Sequence, residues 1–257
     1  MFRGFNLSNL SFKIDTAPLL KQGEAVNASH QAAVKRTLDA FVSAEGKIDG
    51  SRLQDHWFPQ IRADVFISHS HNDEVLAKTI AGWMKSTFGL EAFIDSCVWG
   101  YADDLLKQID DKYCINPGGQ TYSYEKRNGS TGHIHTMLST ALGMMIDNTE
   151  CLMFLNTPNA ITSDAAVSKT QSPWLFSEIA MTHIVRRKKP ADHRQMVKLA
   201  ESTQRQEALA SLKIEYEVKT TSLTDITGET LGQWQTRFSA AGGEPLDSLY
   251  KVAPHSA

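Results

Sequence analysis

The pair of residues with the clearest chemical potential is a tryptophan and a glutamate four positions apart, Trp174 and Glu178. Ser172-Pro173 just before them is a strong helix start, because a hydroxyl caps the first turn and proline fits within it. Residues four apart lie on one face of a helix. A carboxylate held there can stabilise positive charge that develops on a substrate, and an indole offers a flat wall for a ring. From these residues alone, a solvated carboxylate and a core aromatic are the plainer interpretations of Glu178 and Trp174; a catalytic carboxylate with an aromatic wall beside it is the functional alternative.

A second group of polar residues follows short apolar runs that are too brief for helices and are typical of buried strands. Ser68 and His69 end the run DVFISH, Asp95 ends AFID and leads into a loop with Trp99, and Asn156 follows CLMFL. In open α/β sheets, ligands bind beyond the carboxyl ends of the strands, near a switch in strand order. The predicted substrate-binding residues are Ser68, His69, Asp95, Trp99 and Trp174; for Asp95, capping of the next turn is the plainer alternative.

The segment from His69 to Asp73 also fits a metal site, since HxHxD opens the ligand set of some metallo-hydrolases. That set normally ends in a further histidine, whereas Glu74 follows here. A second pair, His133 and His135, lies in a predicted helix, where residues two apart face different directions. We therefore predict no metal and keep the metallo-hydrolase as an alternative.

Three other features have both a functional and a plainer interpretation. Cys97 lies on a predicted site loop, but no adjacent base that would activate a thiol is evident. The basic run Arg186–Lys189 is better explained by the dipole of a helix that ends before Pro190 than by an anionic partner. The segment Tyr122–Arg127, with two tyrosines and two cations, either touches a nucleotide or is an exposed flexible loop.

The order of apolar runs and amphipathic segments from residue 64 onward is strand, helix, strand, helix. This order is typical of βαβ units and predicts an α/β fold with a central parallel sheet flanked by helices. Alternating apolar residues over 212–218 predict a half-exposed strand, and Leu231, Trp234 and Phe238 predict a final helix.

The chain before residue 60 has a different character. Apolar spacing predicts an amphipathic helix over about 24–42 and a short helix over 51–57, which Pro59 ends. Residues 1–60 are therefore predicted to form a helical N-terminal extension, and residues 61–257 the main domain. Within that domain, residues 115–132 are rich in Gly, Asn, Ser and Thr and are predicted to form a long inserted loop.

Composition limits the classes of function. The chain has 257 residues, 41% of hydrophobic type, with a formal net charge of −3. A charge this close to neutral gives no global reason for nucleic-acid binding, and no apolar run is long enough to cross a membrane. The N-terminus lacks the features of a signal peptide, and three cysteines without CxxC spacing fit reduced thiols. We expect a cytoplasmic protein.

Taken together, DVFISHSHND at 64–73, AFIDS at 92–96 and the WxxxE arrangement of Trp174 and Glu178 resemble a TIR domain over roughly residues 62–220. The whole chain is most similar to bacterial TIR-domain proteins of anti-phage defence, such as the TIR component of Thoeris systems. The insertion at 115–132 and the segment 1–60 depart from a minimal TIR domain.

The resemblance implies a flavodoxin-like fold and cleavage of the nicotinamide–ribose bond of NAD⁺, with Glu178 as the catalytic residue. NAD⁺ is then a substrate, and no cofactor is needed. It further implies a nucleotide product that activates a separate effector, and self-association through the loop around Trp99. A non-catalytic TIR module that signals only by assembly is the alternative from a different class.

Overall fold

The computed structural model describes most of the chain, with short gaps. The described residues are 1–10, 15–32, 38–42, 48–94, 96–164, 167–170, 172–194, 216–217 and 219–254. Within them, side chains at 39, 96–101, 162–168 and 216–217 are not described.

The strands of the described ranges form two sheets. They are β1 (Arg3–Ser8), β2 (Val65–Ser68), β3 (Ala92–Ile94), β4 (Cys151–Leu155), β5 (Thr162–Asp164), β6 (Val167–Thr170), β7 (Tyr216–Glu217) and β8 (Thr224–Thr227). The larger sheet has the order β3-β2-β4-β1-β8, and all its neighbouring strands are parallel. The smaller sheet is antiparallel, with the order β5-β6-β7.

Helices flank the larger sheet. They are α1 (Ala17–Gln31), α2 (Gly50–Trp57), α3 (Glu74–Phe88), α4 (Ser96–Ile109), α5 (Tyr124–Asn148), α6 (Pro173–Ile184), α7 (Pro190–Arg194), α8 (Gly228–Ala241) and α9 (Pro245–Val252). The predicted α/β fold with a central parallel sheet and flanking helices is therefore confirmed, and it is consistent with a flavodoxin-like arrangement. None of the helices in the described ranges is both long and apolar enough for a membrane crossing.

The predicted helical extension over residues 1–60 is wrong at its beginning. Residues 3–8 form β1, which lies inside the sheet between β4 and β8. Phe5, Leu7 and Trp57 are fully buried in the same hydrophobic core as the strands after residue 60. The segment 1–60 thus completes the main domain, because one core contains side chains from both sides of the predicted boundary.

The helices before residue 60 agree in part with their predictions. The short helix over 51–57 is confirmed as α2, and the side chain of Asp49 caps it by accepting the Arg52 N–H at 3.1 Å. The helix predicted over 24–42 instead begins at Ala17 and ends at Gln31, and a 3-10 turn covers 38–41. Pro18 in its first turn explains the earlier start.

The predicted loop over 115–132 is wrong for its second half. Helix α5 begins at Tyr124, and the Ser123 hydroxyl accepts the Lys126 N–H at 3.4 Å. Gly129 and Gly132 suggested a loop, but an added Cβ at either would meet no atom within 4 Å. The helix tolerates both glycines because packing on its other face, which includes buried Ile134 and Leu138, stabilises it.

The C-terminal part contains elements that the sequence did not predict. Strands β5 and β6 follow β4 in the chain, and β8 adds an edge strand to the larger sheet. The strand predicted over 212–218 is described only at β7, and its other residues lie outside the described ranges. The helix predicted from Leu231, Trp234 and Phe238 is confirmed as α8, with Leu231 and Trp234 buried, but it is not the final helix, because α9 follows it.

Candidate functional site

The centre of the candidate site is a hydrogen bond between Ser68 and Glu178. Ser68 is the last residue of β2 and is fully buried, while Glu178 lies in α6 and is only 1% exposed. The Ser68 hydroxyl donates to Oε2 of Glu178 over 2.7 Å. Two residues that the sequence predicted separately, 110 positions apart, are therefore in direct contact.

The start of α6 fixes Glu178 at this position. The Ser172 hydroxyl accepts the Leu175 N–H at 3.2 Å, and Pro173 occupies the first turn. Leu175 and Ile179 are buried, so the helix presents that face, with Glu178 beside it, to the protein interior. The predicted helix start is confirmed, and the packing it directs explains why Glu178 is buried rather than solvated.

The strand order places this pair at a topological switch point. The connection after β2 leads to β3 on one side, whereas the connection after β4 leads toward β8 on the other. Neighbouring strands whose connections diverge leave a crevice beyond their carboxyl ends, where α/β proteins bind ligands. Ser68 ends β2, and Asn156 directly follows β4, so both residues line the edge where that crevice is expected.

The two loops at the switch point are joined by Asp73, a residue that the sequence suggested only as part of a metal-ligand set. Asp73 is 8% exposed, and its carboxylate accepts hydrogen bonds from the Thr157 hydroxyl at 2.5 Å and the Asn159 amide at 2.7 Å. The Thr157 oxygen in turn accepts the backbone N–H groups of Asn159 and Ala160, each at 3.2 Å. Asp73 thus holds the loop after β4 against the loop after β2.

The histidines of the HxHxD segment have different surroundings. His69 is 3% exposed, whereas His71 is exposed and begins the short 3-10 turn before α3. Among the described residues, no three His, Cys, Asp or Glu side chains come together in a way that could hold a metal ion. The carboxylate of Asp73 is directed to Thr157 and Asn159 instead.

Trp174 lies at the side of the site, between α6 and α5. It is half-buried, and its ring meets that of His135 edge to face, with centroids 5.5 Å apart. Burial raises the pKa of the nearby Asp103 carboxyl, and the charge of His135 partly opposes this rise. The sequence suggested His135 only as half of a histidine pair; its contact with Trp174 depends on the packing of two helices and has no local signal.

Two further predicted site residues follow β3 in the chain. Asp95 lies outside the described residues. Trp99, predicted in a loop, belongs to the first turn of α4, which begins at Ser96; its side chain is not described. The helix starts earlier than predicted because the buried residues Ala102 and Leu105 extend its apolar spacing back toward this turn.

The described cysteines are not activated nucleophiles. Cys114 and Cys151 are free and buried. Burial raises the pKa of both thiols, which disfavours the reactive thiolate. Cys97 lies in α4, where its side chain is not described.

No protein-family model, curated protein or solved structure matches this chain. The chemistry of the site is therefore inferred from its own residues: a buried carboxylate and a hydroxyl donor at the switch point of the sheet, with an indole one helical turn before the carboxylate.

Proposed function

We propose that the protein cleaves the nicotinamide–ribose bond of NAD⁺, as a nucleosidase or an ADP-ribosyl cyclase. The observation that carries this proposal is the buried Ser68–Glu178 hydrogen bond at the switch point of a parallel sheet. A carboxylate with 1% exposure interacts strongly with a positive centre because little water screens it.

Loss of nicotinamide leaves positive charge on the ribose, as in the transition state of glycoside hydrolysis. Glu178 stabilises that charge, and Ser68 orients the carboxylate by donating to Oε2. Trp174, one helical turn before Glu178, provides an apolar wall for a flat ring. Water then completes hydrolysis to ADP-ribose, or a group of the same dinucleotide completes cyclisation; neither step needs a metal.

The sequence resemblance to TIR domains supports NAD⁺ as the substrate. On that basis, the protein acts in the cytoplasm of a bacterium during antiviral defence, self-associates, and makes a nucleotide that activates a separate effector.

The direct test is to incubate the purified protein with NAD⁺ and analyse the products by mass spectrometry, with and without EDTA. We expect free nicotinamide with ADP-ribose or a cyclic isomer, in equal amounts under both conditions. Intact NAD⁺ across a range of protein concentrations would overturn the proposal. Activity lost with EDTA and restored by zinc would instead support the metallo-hydrolase.

A second candidate is a non-catalytic module that signals only by assembly. Its support is the same burial of Glu178, because a carboxylate this enclosed and hydrogen-bonded to Ser68 can serve purely to join α6 to β2. The two candidates differ in the product assay, since only the enzyme releases nicotinamide.

A further inference from the structure

One face of α5 carries polar residues from the candidate site to the far end of the helix. Tyr124, Asn128, Thr131 and His135 follow helical spacing, and we call them the α5 polar face. The steps from Tyr124 to His135 make three turns plus about 20° at roughly 100° per residue, so both ends share one side. They are separated by about 16 Å along the axis.

The two ends of this face differ in their surroundings. His135 meets Trp174 edge to face, so this end borders the candidate site. Tyr124 at the other end is 79% exposed, more than any other large hydrophobic side chain in the described part of the chain. Asn128 is exposed and Thr131 is half-buried between the two ends. The α5 polar face therefore extends from the candidate site to the solvent-exposed ring of Tyr124.

The beginning of α5 is held in place by a network with Asp110 and Asp111, which directly follow α4. The buried Asp110 accepts hydrogen bonds from Arg127 at 2.7 Å and from the Ser130 hydroxyl at 2.6 Å. Tyr122 donates to Asp111, and the Arg127 guanidinium lies 5.3 Å from the centroid of the Tyr122 ring, close enough for a cation–π contact. Tyr124 therefore lies at the ordered start of a helix. The flexible loop, one of the two interpretations of this segment from sequence, is not what the structure contains.

Gly132 lies at the edge of the α5 polar face, about 60° around the helix from His135. An added Cβ there would meet nothing within 4 Å, so packing within the described residues does not require a glycine. Glycine in a helix interior lowers stability relative to alanine, but it lets a ligand approach the backbone closely. Gly129 is equally open and lies farther around the helix, about 120° from His135.

We propose that the α5 polar face binds the ADP half of the dinucleotide, with nicotinamide at Trp174 and adenine at Tyr124. This inference rests on the proposed function and adds the subsite that selects a dinucleotide over a mononucleotide. The Tyr124 ring stacks on adenine, because the flat face of a base packs favourably on an aromatic side chain. Asn128 and Thr131 offer hydrogen bonds to ribose hydroxyls or pyrophosphate oxygens, and Gly132 leaves room beside them.

The test compares Tyr124→Ala and Gly132→Ala with wild type, using NAD⁺ in kinetics and ADP-ribose in calorimetry. We expect Tyr124→Ala to raise KM for NAD⁺ and Kd for ADP-ribose about tenfold, the loss typical of one stacked base, with kcat unchanged. Gly132→Ala should raise both KM and Kd and also raise the melting temperature. A purely structural role of Gly132 would not weaken binding while increasing stability. The constants of Tyr124→Ala for nicotinamide mononucleotide, which lacks the adenosine monophosphate part, should equal those of wild type.

Gly129→Ala is the matched control, since it also adds a methyl group to an open position of α5. It should raise the melting temperature and leave KM and Kd unchanged. If wild type releases nicotinamide but the Tyr124 and Gly132 variants keep its KM and Kd, the subsite is wrong and the proposed function stands. If wild type neither cleaves NAD⁺ nor binds ADP-ribose, both are wrong.

Discussion

Glu178 is the residue on which the proposed chemistry depends. Replacing it with glutamine keeps the size and the ability to accept the Ser68 hydrogen bond, but removes the charge opposite the ribose. We expect Glu178→Gln to lower nicotinamide release about 10²–10³-fold. Circular dichroism and the melting temperature should show an intact fold.

Glu229→Gln is the control, because Glu229 is exposed in the first turn of α8, which follows the edge strand β8, three positions from β2 in the sheet. It should retain wild-type turnover. If Glu178→Gln keeps more than about a tenth of the activity, Glu178 is not the charge that the reaction needs, given the losses usual for such contacts.

The hydrogen bond between Ser68 and Glu178 also leads to a prediction about stability. Ser68→Ala leaves a buried carboxylate without the donor at 2.7 Å, which we expect to cost about 1.5–3 kcal/mol, the range for hydrogen bonds to charged groups. In the Glu178→Gln background the same change removes a neutral hydrogen bond and should cost about 0.5–1.5 kcal/mol.

Urea unfolding of the two single variants, the double variant and wild type measures this difference as a coupling energy. An equal cost of Ser68→Ala in both backgrounds would show that Glu178 is not charged in the folded protein, and it would count against its proposed role.

The candidate site could be predicted from sequence where local pattern fixes the residue. Ser68 ends an apolar run, and Glu178 follows a capped helix start, so both positions were predictable. The hydrogen bond between Thr157 and Asp73 joins residues 84 positions apart, and neither segment contains a sequence pattern that predicts it. The Trp174–His135 contact is similar, since it requires α5 and α6 to pack.

At the scale of elements, α1 and α3 cross at very close range. An added Cβ at Gly82 would lie 1.8 Å from the Leu19 carbonyl oxygen and 2.6 Å from the Gly23 nitrogen. Both are backbone atoms, so α1 would have to move. We expect Gly82→Ala to destabilise the protein by about 1–3 kcal/mol, the usual cost of overpacking.

Gly232→Ala in α8 is the matched comparison, because nothing lies within 4 Å of its added Cβ. It should stabilise the protein by about 1 kcal/mol through helix propensity alone. Thermal and urea unfolding measure the stability change of each variant relative to wild type. Equal effects of the two substitutions would mean that α1 and α3 do not cross this closely.

Helix α5 shows why one element was only half predicted. Its first half contains Gly129 and Gly132 together with polar residues, a composition typical of loops. The contacts that stabilise it, from Asp110 to Arg127 and Ser130, come from the segment that follows α4. Local propensity therefore predicts a loop, whereas these tertiary contacts stabilise a helix.

At the scale of the whole molecule, the sheet combines strands that sequence predicts well and strands that it does not. β2, β3 and β4 are continuous apolar runs that are buried throughout. β1 contains polar Arg3 and Asn6, and β8 buries only Ile226. Asn6 and Asp225 are joined by a hydrogen bond of 2.6 Å, a pairing between distant segments that neither strand reveals alone.

The position of β1 leads to a prediction about the autonomy of residues 61–257. Without the segment 1–60, β4 and β8 lose the strand between them, and the pairings of Phe5 with Met153 and Thr224 disappear. The core also loses the fully buried Trp57, and a large aromatic in a core contributes about 3–5 kcal/mol by itself. Natural domains have a total stability of about 5–15 kcal/mol, so we expect the fragment 61–257 not to fold. Near-ultraviolet circular dichroism and urea unfolding of the fragment and the full chain provide the measurement. A cooperative unfolding transition in the fragment would show that the segment 1–60 is an extension after all, as its sequence alone suggests.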